Sequence, residues 1–142
     1  MTATDPIERV LDASTAAAAY FEEVQSEKAR AALFKVARFH SPDLLLLEIG
    51  NVAAKKLRRA EVDAGAAAAS VTFAQSLVVQ FHDDRGLAGT ALSLAIAHGF
   101  SSYDACYLAL AERLGIPVLT ADHRLVQRAQ GCGLGGLVEP VT

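Results

Sequence analysis

The sequence predicts an α/β fold of three layers, in which a central parallel sheet of about four to five strands is flanked by helices. Short apolar stretches rich in β-branched residues, such as residues 77–81 and 116–120, alternate with longer helical stretches. This alternation is typical of a parallel sheet that is covered on both faces. The composition agrees, because 52% of the 142 residues are apolar, only 6% are aromatic and tryptophan is absent. Small residues of this kind favour close-packed helices over an all-β sandwich.

The length and charge of the chain limit its class. We expect residues 1–142 to form one domain, because the chain is long enough to bury a hydrophobic core but leaves little room for a second domain. The net charge of −3 argues against a protein that coats nucleic acid, but not against an enzyme that touches it at one place. Cys106 and Cys132 form no disulfide or zinc pattern, residues 1–6 show no secretory signal, and residues 64–81 are too polar to span a membrane. A cytoplasmic protein is expected.

The first half of the chain is predicted to be helical after one short strand. Val10 and Leu11 form that strand. Ser41, Pro42 and Asp43 predict a helix start, with a capping serine, a proline at the first helical position and an acid in the first turn. One predicted helix of this half begins at residue 13. Three further helices are predicted at residues 26–39, 42–59 and 63–76.

The second half is predicted to alternate strands and helices. The predicted strands are residues 77–81, 116–120 and 137–139, and the predicted helices are residues 87–98, 103–114 and 124–130. Gly99 and Gly115 follow two of these helices and are natural C-caps. His82, Asp83 and Asp84 are predicted to form a solvated loop rather than a metal cluster, because neighbouring strand residues point to opposite faces.

Three aspartates occupy positions where ligands bind in such folds. Asp12 and Asp122 follow two of the strands, and ligand sites of open α/β sheets form at the carboxyl ends of strands. Both residues also suit helix capping. Asp104 lies near the start of its helix, where an acid suits the helix dipole, yet helical spacing aligns it with Leu108 and Ala111 on the apolar side.

Glu48 is the most informative acid, because it lies inside a helix directly after four leucines. A charged glutamate on an apolar stretch is costly unless it is paired or bound to a cation. Simple exposure, or a salt bridge to Lys55, remains an alternative. Asn51, Lys55 and Arg59 follow Glu48 along one helix edge, with Arg58 close by. Two explanations fit the basic residues of this edge: cations are favourable at a helix C-terminus, and they could also form a path for a phosphate backbone.

Clustered carboxylates repel each other unless a cation joins them. Oxygen ligands without histidine or cysteine select a hard ion, Mg²⁺ or Mn²⁺, which can activate water and orient a phosphodiester. Ser14 and Thr120 lie two residues from Asp12 and Asp122 and could hold these carboxylates by hydrogen bonds. Helix capping by Ser14 and β propensity of Thr120 explain the two hydroxyl residues equally well.

Four segments of the chain resemble the PIN-domain nuclease family, in particular the toxin of VapBC-type toxin–antitoxin pairs. The segments are VLDAS at 10–14, PDLLLLEIGNV at 42–52, SYDACYLALA at 102–111 and VLTAD at 118–122. They occur in the family's order and span nearly the whole chain. The first strand departs from the family pattern, because Glu8 and Arg9 stand where a longer apolar run is usual.

The resemblance implies a PIN-like fold and cleavage of RNA that depends on Mg²⁺ or Mn²⁺. It further implies a homodimer and inhibition by a small cognate antitoxin. The acids that it marks as catalytic and metal-binding are Asp12, Glu48, Asp104 and Asp122, with Ser14, Thr120 and Asn51 as supporting polar groups. From their placement, the cations expected to position the RNA backbone are Lys55, Arg58, Arg59 and Arg124.

Two other functions remain open at this point. One is a housekeeping PIN nuclease that processes RNA, and the other is a non-catalytic RNA-binding or interaction module of the same fold whose acids serve as caps. A receiver-like phospho-acceptor is disfavoured, because Asp12 is followed by Ala13 instead of a second acid and no suitable lysine follows Lys56.

Overall fold

The structure is a computed structural model that describes residues 5–142 of the chain. The interpretation of residues 1–6 as lacking a signal therefore falls largely outside the described residues. The strands are β1 (Glu8–Leu11), β2 (Arg38–Pro42), β3 (Val78–His82), β4 (Val118–Thr120) and β5 (Val138–Pro140). The α-helices are α1 (Ala13–Tyr20), α2 (Ser26–Phe34), α3 (Leu44–Arg58), α4 (Ala64–Leu77), α5 (Ala88–His98), α6 (Ser102–Leu114) and α7 (His123–Gly131).

The five strands form one parallel sheet in the order β3-β2-β1-β4-β5, which confirms the predicted fold class. β1 lies in the centre, and its Leu11 pairs with Leu119 of β4. Asp12, which follows β1, therefore lies beside Thr120, the last residue of β4. This register places the first and last sequence motifs at one edge of the sheet, which is where ligands bind in open parallel sheets.

The prediction for residues 26–43 is wrong in part. Helix α2 ends at Phe34, and the residues read as a capping serine and a helical proline, Ser41 and Pro42, end strand β2 instead. Ser41 is fully buried between β1 and β3, and its hydroxyl donates to the carbonyl of Leu11 at 2.8 Å. Helix α3 begins only at Leu44, without a side-chain cap.

Two polar residues open β1 because their side chains pair with residues on other strands of the sheet. Glu8 Oε1 lies 3.0 Å from His40 Nε2 on β2, and Arg9 Nε lies 2.6 Å from Glu139 Oε2 on β5. Tertiary pairing thus replaces the apolar side chains that a central strand usually carries.

Helix α6 forms the centre of the core. Residues 105–111 of this helix are all buried, and it packs across β1, β2 and β4 with α5 against it. On another side, α1 contacts α2, α3 and α4. Gly99 and Gly115 end α5 and α6 with φ angles of 76° and 68°, as predicted for C-capping glycines. None of the helices in residues 5–142 is long and apolar enough to cross a membrane.

The residues after β3 are less solvated than predicted. Asp83 is exposed and pairs with Arg85 at 2.8 Å. Asp84 is half-buried and accepts a hydrogen bond from the Leu44 backbone at 3.2 Å. His82 Nε2 lies 3.1 Å from His40 Nδ1 on the adjacent strand. Hydrogen bonds thus connect this segment to β2 and to the first residue of α3.

Candidate active site

The four predicted acids meet in one pocket at the carboxyl ends of β1 and β4. The pocket has a volume of about 320 Å³, and Asp12, Glu48, Asp104 and Asp122 all line it. Four different segments of the chain supply these side chains: the loop after β1, helix α3, the first turn of α6 and the loop after β4. We call this cavity the carboxylate pocket.

Asp12 and Asp122 are helix caps as well as pocket residues. Asp12 Oδ1 accepts from the Thr15 backbone at 3.0 Å at the start of α1, and Asp122 Oδ1 accepts from Arg124 at 3.0 Å at the start of α7. The backbone hydrogen bonds that form these two caps use Oδ1. Capping therefore leaves the second oxygen of each carboxylate for the pocket.

The hydroxyls of Ser14 and Thr120 connect the two strand-end loops. Ser14 Oγ donates to Asp12 Oδ1 at 2.8 Å, lies 3.2 Å from Thr120 Oγ1 and accepts from the Ala121 backbone at 3.1 Å. Thr120 Oγ1 in turn accepts from the Asp122 backbone at 3.1 Å. The two hydroxyls therefore contact the carboxylate loops in the way that was predicted for supporting groups.

Burial raises the pKa of three of the acids. For Asp12, which is 5% exposed, burial is the dominant cause, and hydrogen bonds from Thr120, Thr15 and Ser14 act in the opposite direction. For Glu48, burial raises the pKa most, and the charges of Asp104 and Asp12 raise it further. The pocket thus concentrates negative charge in a partly desolvated place.

Asp104 shows both repulsion and a compensating cation. Its pKa is raised by burial and by the charge of Asp122, while Arg128 on α7 lowers it. Arg128 packs its guanidinium 5.5 Å from the centre of the Phe100 ring and donates to the Gly99 carbonyl. Sequence analysis did not single out this arginine, although its place on the predicted last helix was known.

Two further pocket residues escaped the sequence analysis. In residues 5–142, only Gln25 Oε1 and Tyr107 Oη are buried side-chain oxygens without a hydrogen-bond partner, and both residues line the carboxylate pocket. The Tyr107 hydroxyl is nevertheless close enough to Glu48 to lower the pKa of that carboxyl as a hydrogen-bond donor, and burial is the main reason that the pKa of Tyr107 itself is raised. Buried polar atoms are nearly always paired, so orphans gathered in one cavity indicate that it receives a ligand.

The predicted cations lie outside the pocket. Lys55, Arg58, Arg59 and Arg124 are exposed, and none of them lines the carboxylate pocket. Asn51 is also exposed and lines an adjacent shallow groove together with Glu48. Glu48 forms no salt bridge in residues 5–142, so the alternative of an ion pair with Lys55 is not observed.

The chemistry of the pocket suits a hard divalent cation. Its donors are carboxylate oxygens, its charge is uncompensated by a lysine or arginine in the lining, and three of its acids have raised pKa values. As the side chains of residues 5–142 stand, no group of three or more His, Cys, Asp or Glu residues is arranged to hold an ion. The donor set therefore fits Mg²⁺ or Mn²⁺ by type.

Comparison with known proteins identifies the family. Residues 9–131 match the PIN domain. The chain belongs to the PIN-domain family. It is 35% identical over 123 residues to the ribonuclease VapC3 of Pyrobaculum aerophilum, an alignment that covers 84% of this chain and 92% of that protein.

Solved structures of PIN-like architecture agree with this assignment. The crystal structure of PAE2754 from Pyrobaculum aerophilum has a TM-score of 0.69 and 25% identity, covering 95% of this chain and 84% of that one. VapC20 of Mycobacterium tuberculosis, a toxin that cleaves the sarcin–ricin loop, has a TM-score of 0.66 and 21% identity, covering 83% and 92%. The likeness to VapC20 supports the fold alone. The predicted resemblance to VapC-type PIN proteins is confirmed by the 35% identity to the ribonuclease VapC3.

Proposed function

We propose that this PIN protein is an endoribonuclease that hydrolyses RNA phosphodiester bonds with the help of Mg²⁺ or Mn²⁺, and that it is the toxin of a type II toxin–antitoxin pair. The observation that carries the proposal is the convergence of Asp12, Glu48, Asp104 and Asp122 in one pocket, where burial and mutual repulsion raise carboxylate pKa values. The 35% identity to a ribonuclease over most of the chain supports the same reaction.

The four acids would hold one or two divalent ions in the carboxylate pocket. A bound ion would supply Lewis acidity, making water more acidic and stabilising negative charge on the phosphodiester. Asp12 and Asp122 are held for this task by the helix starts that they cap, and Ser14 and Thr120 fix the two loops relative to each other. Ionised carboxylates are favoured at helix N-termini, which offsets part of the cost of gathering these charges.

The chain's cations would position the RNA around the pocket. Arg128 acts on one of the pocket acids through its charge, because it lowers the pKa of Asp104. Lys55, Arg58, Arg59 and Arg124 are exposed and can contact phosphates outside the pocket without sequence preference. Lys56 is unsuited to this role, because its Nζ lies 3.5 Å from Glu23 Oε1 and 3.6 Å from Glu61 Oε2.

Protein partners are the second part of the proposal. An antitoxin is proposed because the relative that is 35% identical is a VapC ribonuclease. The antitoxin would block cleavage by binding at the carboxylate pocket. A homodimer is proposed because the outer side of α5 exposes Leu92 (55%) and Ile96 (76%), one helical turn apart. We place this activity in the cytoplasm, in one nuclease domain formed by residues 1–142.

The proposal is tested by RNA cleavage with purified protein. Cleavage of a mixed-sequence RNA is measured with Mg²⁺, with Mn²⁺ and with EDTA, for the wild type, Asp12→Asn and Asp104→Asn. We expect cleavage by the wild type with either ion, none with EDTA, and a loss of at least a hundredfold in each variant. Glu112→Gln, which removes an exposed acid from the same helix as Asp104, is the matched control and should cleave normally.

Equal activity in the wild type, Asp12→Asn and Asp104→Asn would overturn the proposed reaction. A wild type that binds RNA but does not cleave it with any divalent ion would favour the non-catalytic module. Purification of the chain from its own cells separates the toxin from a housekeeping nuclease, because a small, separately encoded antitoxin should co-purify and abolish cleavage.

A further inference from the structure

Gln25 presents an unsatisfied acceptor to the carboxylate pocket. It occupies the N-cap position of α2, and its side chain makes no capping hydrogen bond. Its Nε2 lies 2.6 Å from His123 Nε2, at the start of α7. Gln25 lines the pocket, and its Oε1 is buried without a partner in residues 5–142. One end of the amide is thus held by His123, and the other end lacks the hydrogen bond that a buried oxygen requires.

The backbone around Gln25 is held rigidly. Ser26 Oγ donates to the Phe21 carbonyl at 2.8 Å and accepts from the Glu23 backbone at 2.7 Å, and the Ser26 backbone donates to the Glu23 carbonyl at 3.1 Å. Lys56 holds the Glu23 side chain from α3. The amide of Gln25 therefore needs little further ordering when a ligand binds.

A free amide oxygen requires a donor, and this requirement limits which part of a nucleic acid it can contact. A phosphodiester carries only acceptors, so the donor must be a sugar hydroxyl or a base. Gln25 lines the same small pocket as the four acids that would hold the reacting phosphate, and the group next to that phosphate is the sugar. The ribose 2′-hydroxyl is a donor that RNA has and DNA lacks.

The other uncharged polar groups of the pocket differ from Gln25. Ser14 bonds Asp12 and lies 3.2 Å from the Thr120 hydroxyl, and the Tyr107 hydroxyl, which also lacks a well-formed hydrogen bond, can donate as well as accept. Gln25 is therefore the one residue of this pocket, in the described part of the chain, that offers a buried, unpaired and acceptor-only atom.

We propose that Gln25 reads the sugar of the substrate: its Oε1 accepts a hydrogen bond from the 2′-hydroxyl of the ribose beside the phosphate in the carboxylate pocket, while His123 orients the amide. This inference rests on the proposed ribonuclease function and adds a residue that selects RNA over DNA.

The test compares protein and substrate changes in one cycle. A short RNA that the wild type cleaves is made with a single 2′-deoxy substitution at each position around the cleaved bond. Values of kcat/KM are measured for the wild type and Gln25→Ala on every oligonucleotide. We expect one deoxy position to lower kcat/KM about tenfold in the wild type and hardly at all in Gln25→Ala, because the lost hydrogen bond is the same one.

A binding measurement separates contact from catalysis. Affinities for the same oligonucleotides are measured with Asp12→Asn and with Asp12→Asn/Gln25→Ala. The 2′-deoxy substitution at that one position should weaken binding to Asp12→Asn and hardly change binding to the double variant. His123→Ala should weaken that effect without abolishing it, which guards against a folding defect in Gln25→Ala. Gln80→Ala removes an exposed amide from the edge strand β3 and should retain the full effect.

Each contrary outcome has its own meaning. If every deoxy position costs Gln25→Ala as much as it costs the wild type, the sugar contact is refuted while RNA cleavage stands. If no 2′-deoxy substitution lowers kcat/KM in the wild type, the amide oxygen has another partner and the inference is wrong. A wild type that cleaves no RNA at all would overturn the proposed function itself.

Discussion

The hydroxyls of Ser14 and Thr120 lie 3.2 Å apart although 106 residues separate them in the chain. This contact joins the loop that carries Asp12 to the loop that carries Asp122, and it crosses from the central strand β1 to its neighbour β4. Groups that orient ligating carboxylates usually affect affinity and rate strongly although they touch no substrate.

Ser14→Ala should lower RNA cleavage about ten- to a hundredfold. The Ser14 hydrogen bond lowers the pKa of Asp12, so its loss raises that pKa further, and Asp12 ionises only at higher pH. The acidic limb of the pH profile of kcat/KM should therefore move to higher pH. Ser93→Ala, which removes an exposed hydroxyl bonded within α5, should leave both quantities unchanged. An unaltered profile in Ser14→Ala would refute this role.

Asp12→Asn should stabilise the metal-free protein at neutral pH. Because burial raises the pKa of Asp12 in the folded state, its contribution to stability is fully present below the unfolded carboxyl pKa of about 4 and is lost as the pH rises through the folded pKa. Asparagine keeps the cap without this loss. Urea unfolding in EDTA at pH 5 and pH 7.5 measures the difference, which should grow with pH.

Divalent ions should reverse this order of stability. An ion at 100 times its dissociation constant stabilises the folded state by about 2.7 kcal/mol. This gain should appear in the wild type and be much reduced in Asp12→Asn, whereas Glu112→Gln should behave as the wild type does. A wild type that gains no stability from Mg²⁺ or Mn²⁺ would contradict the account.

Tyr107→Phe should reduce cleavage about tenfold without harming the fold. The hydroxyl is buried, makes no well-formed hydrogen bond in the described residues and lowers the pKa of Glu48, so phenylalanine should keep the packing of the ring and lose only the action on Glu48. Thermal unfolding should give an equal or higher Tm than the wild type. Tyr103→Phe changes an exposed phenol on the same helix and should be neutral in both assays. A lower Tm with normal cleavage would show a structural role only.

Ile96→Asp should convert the proposed homodimer to a monomer. The substitution places a charge in the exposed apolar surface that Leu92 and Ile96 form on α5, and a two-fold interface would repeat that charge on both sides. Light scattering after size-exclusion chromatography measures the mass. Val24→Asp, at a residue that is 99% exposed in the loop before α2, should not change it. An unchanged mass for Ile96→Asp would place any dimer interface elsewhere.

The sequence alone was sufficient to predict the parallel sheet and to single out four acids that line one pocket, but not to predict β2. Ser41 and Pro42 carry the residue types of a helix start, and only the neighbouring strands decide otherwise. The burial of Ser41 depends on its bond to Leu11, a contact that no local pattern records. Local capping preference was overridden by tertiary pairing.

The missed pocket residues have a similar explanation. Tyr107 lies on an apolar helical stripe, where an aromatic residue is typical of a core, and only the structure places its hydroxyl in a cavity. Gln25 lies in a connection without periodicity, and its contact with His123 joins residues that are 98 positions apart, which no local pattern records. Asp12, Glu48, Asp104 and Asp122 could be predicted because a charged residue at a strand end or on an apolar stretch is costly without a purpose.

Binding of Mn²⁺ shows whether the four acids form one divalent-ion site. Isothermal titration of the wild type and of Asp12→Asn, Glu48→Gln, Asp104→Asn and Asp122→Asn gives the affinity of each. We expect binding by the wild type, a loss of about tenfold or more in every one of the four variants, and no change in Glu112→Gln. Absence of Mn²⁺ binding by the wild type, or wild-type affinity in all four variants, would contradict this expectation.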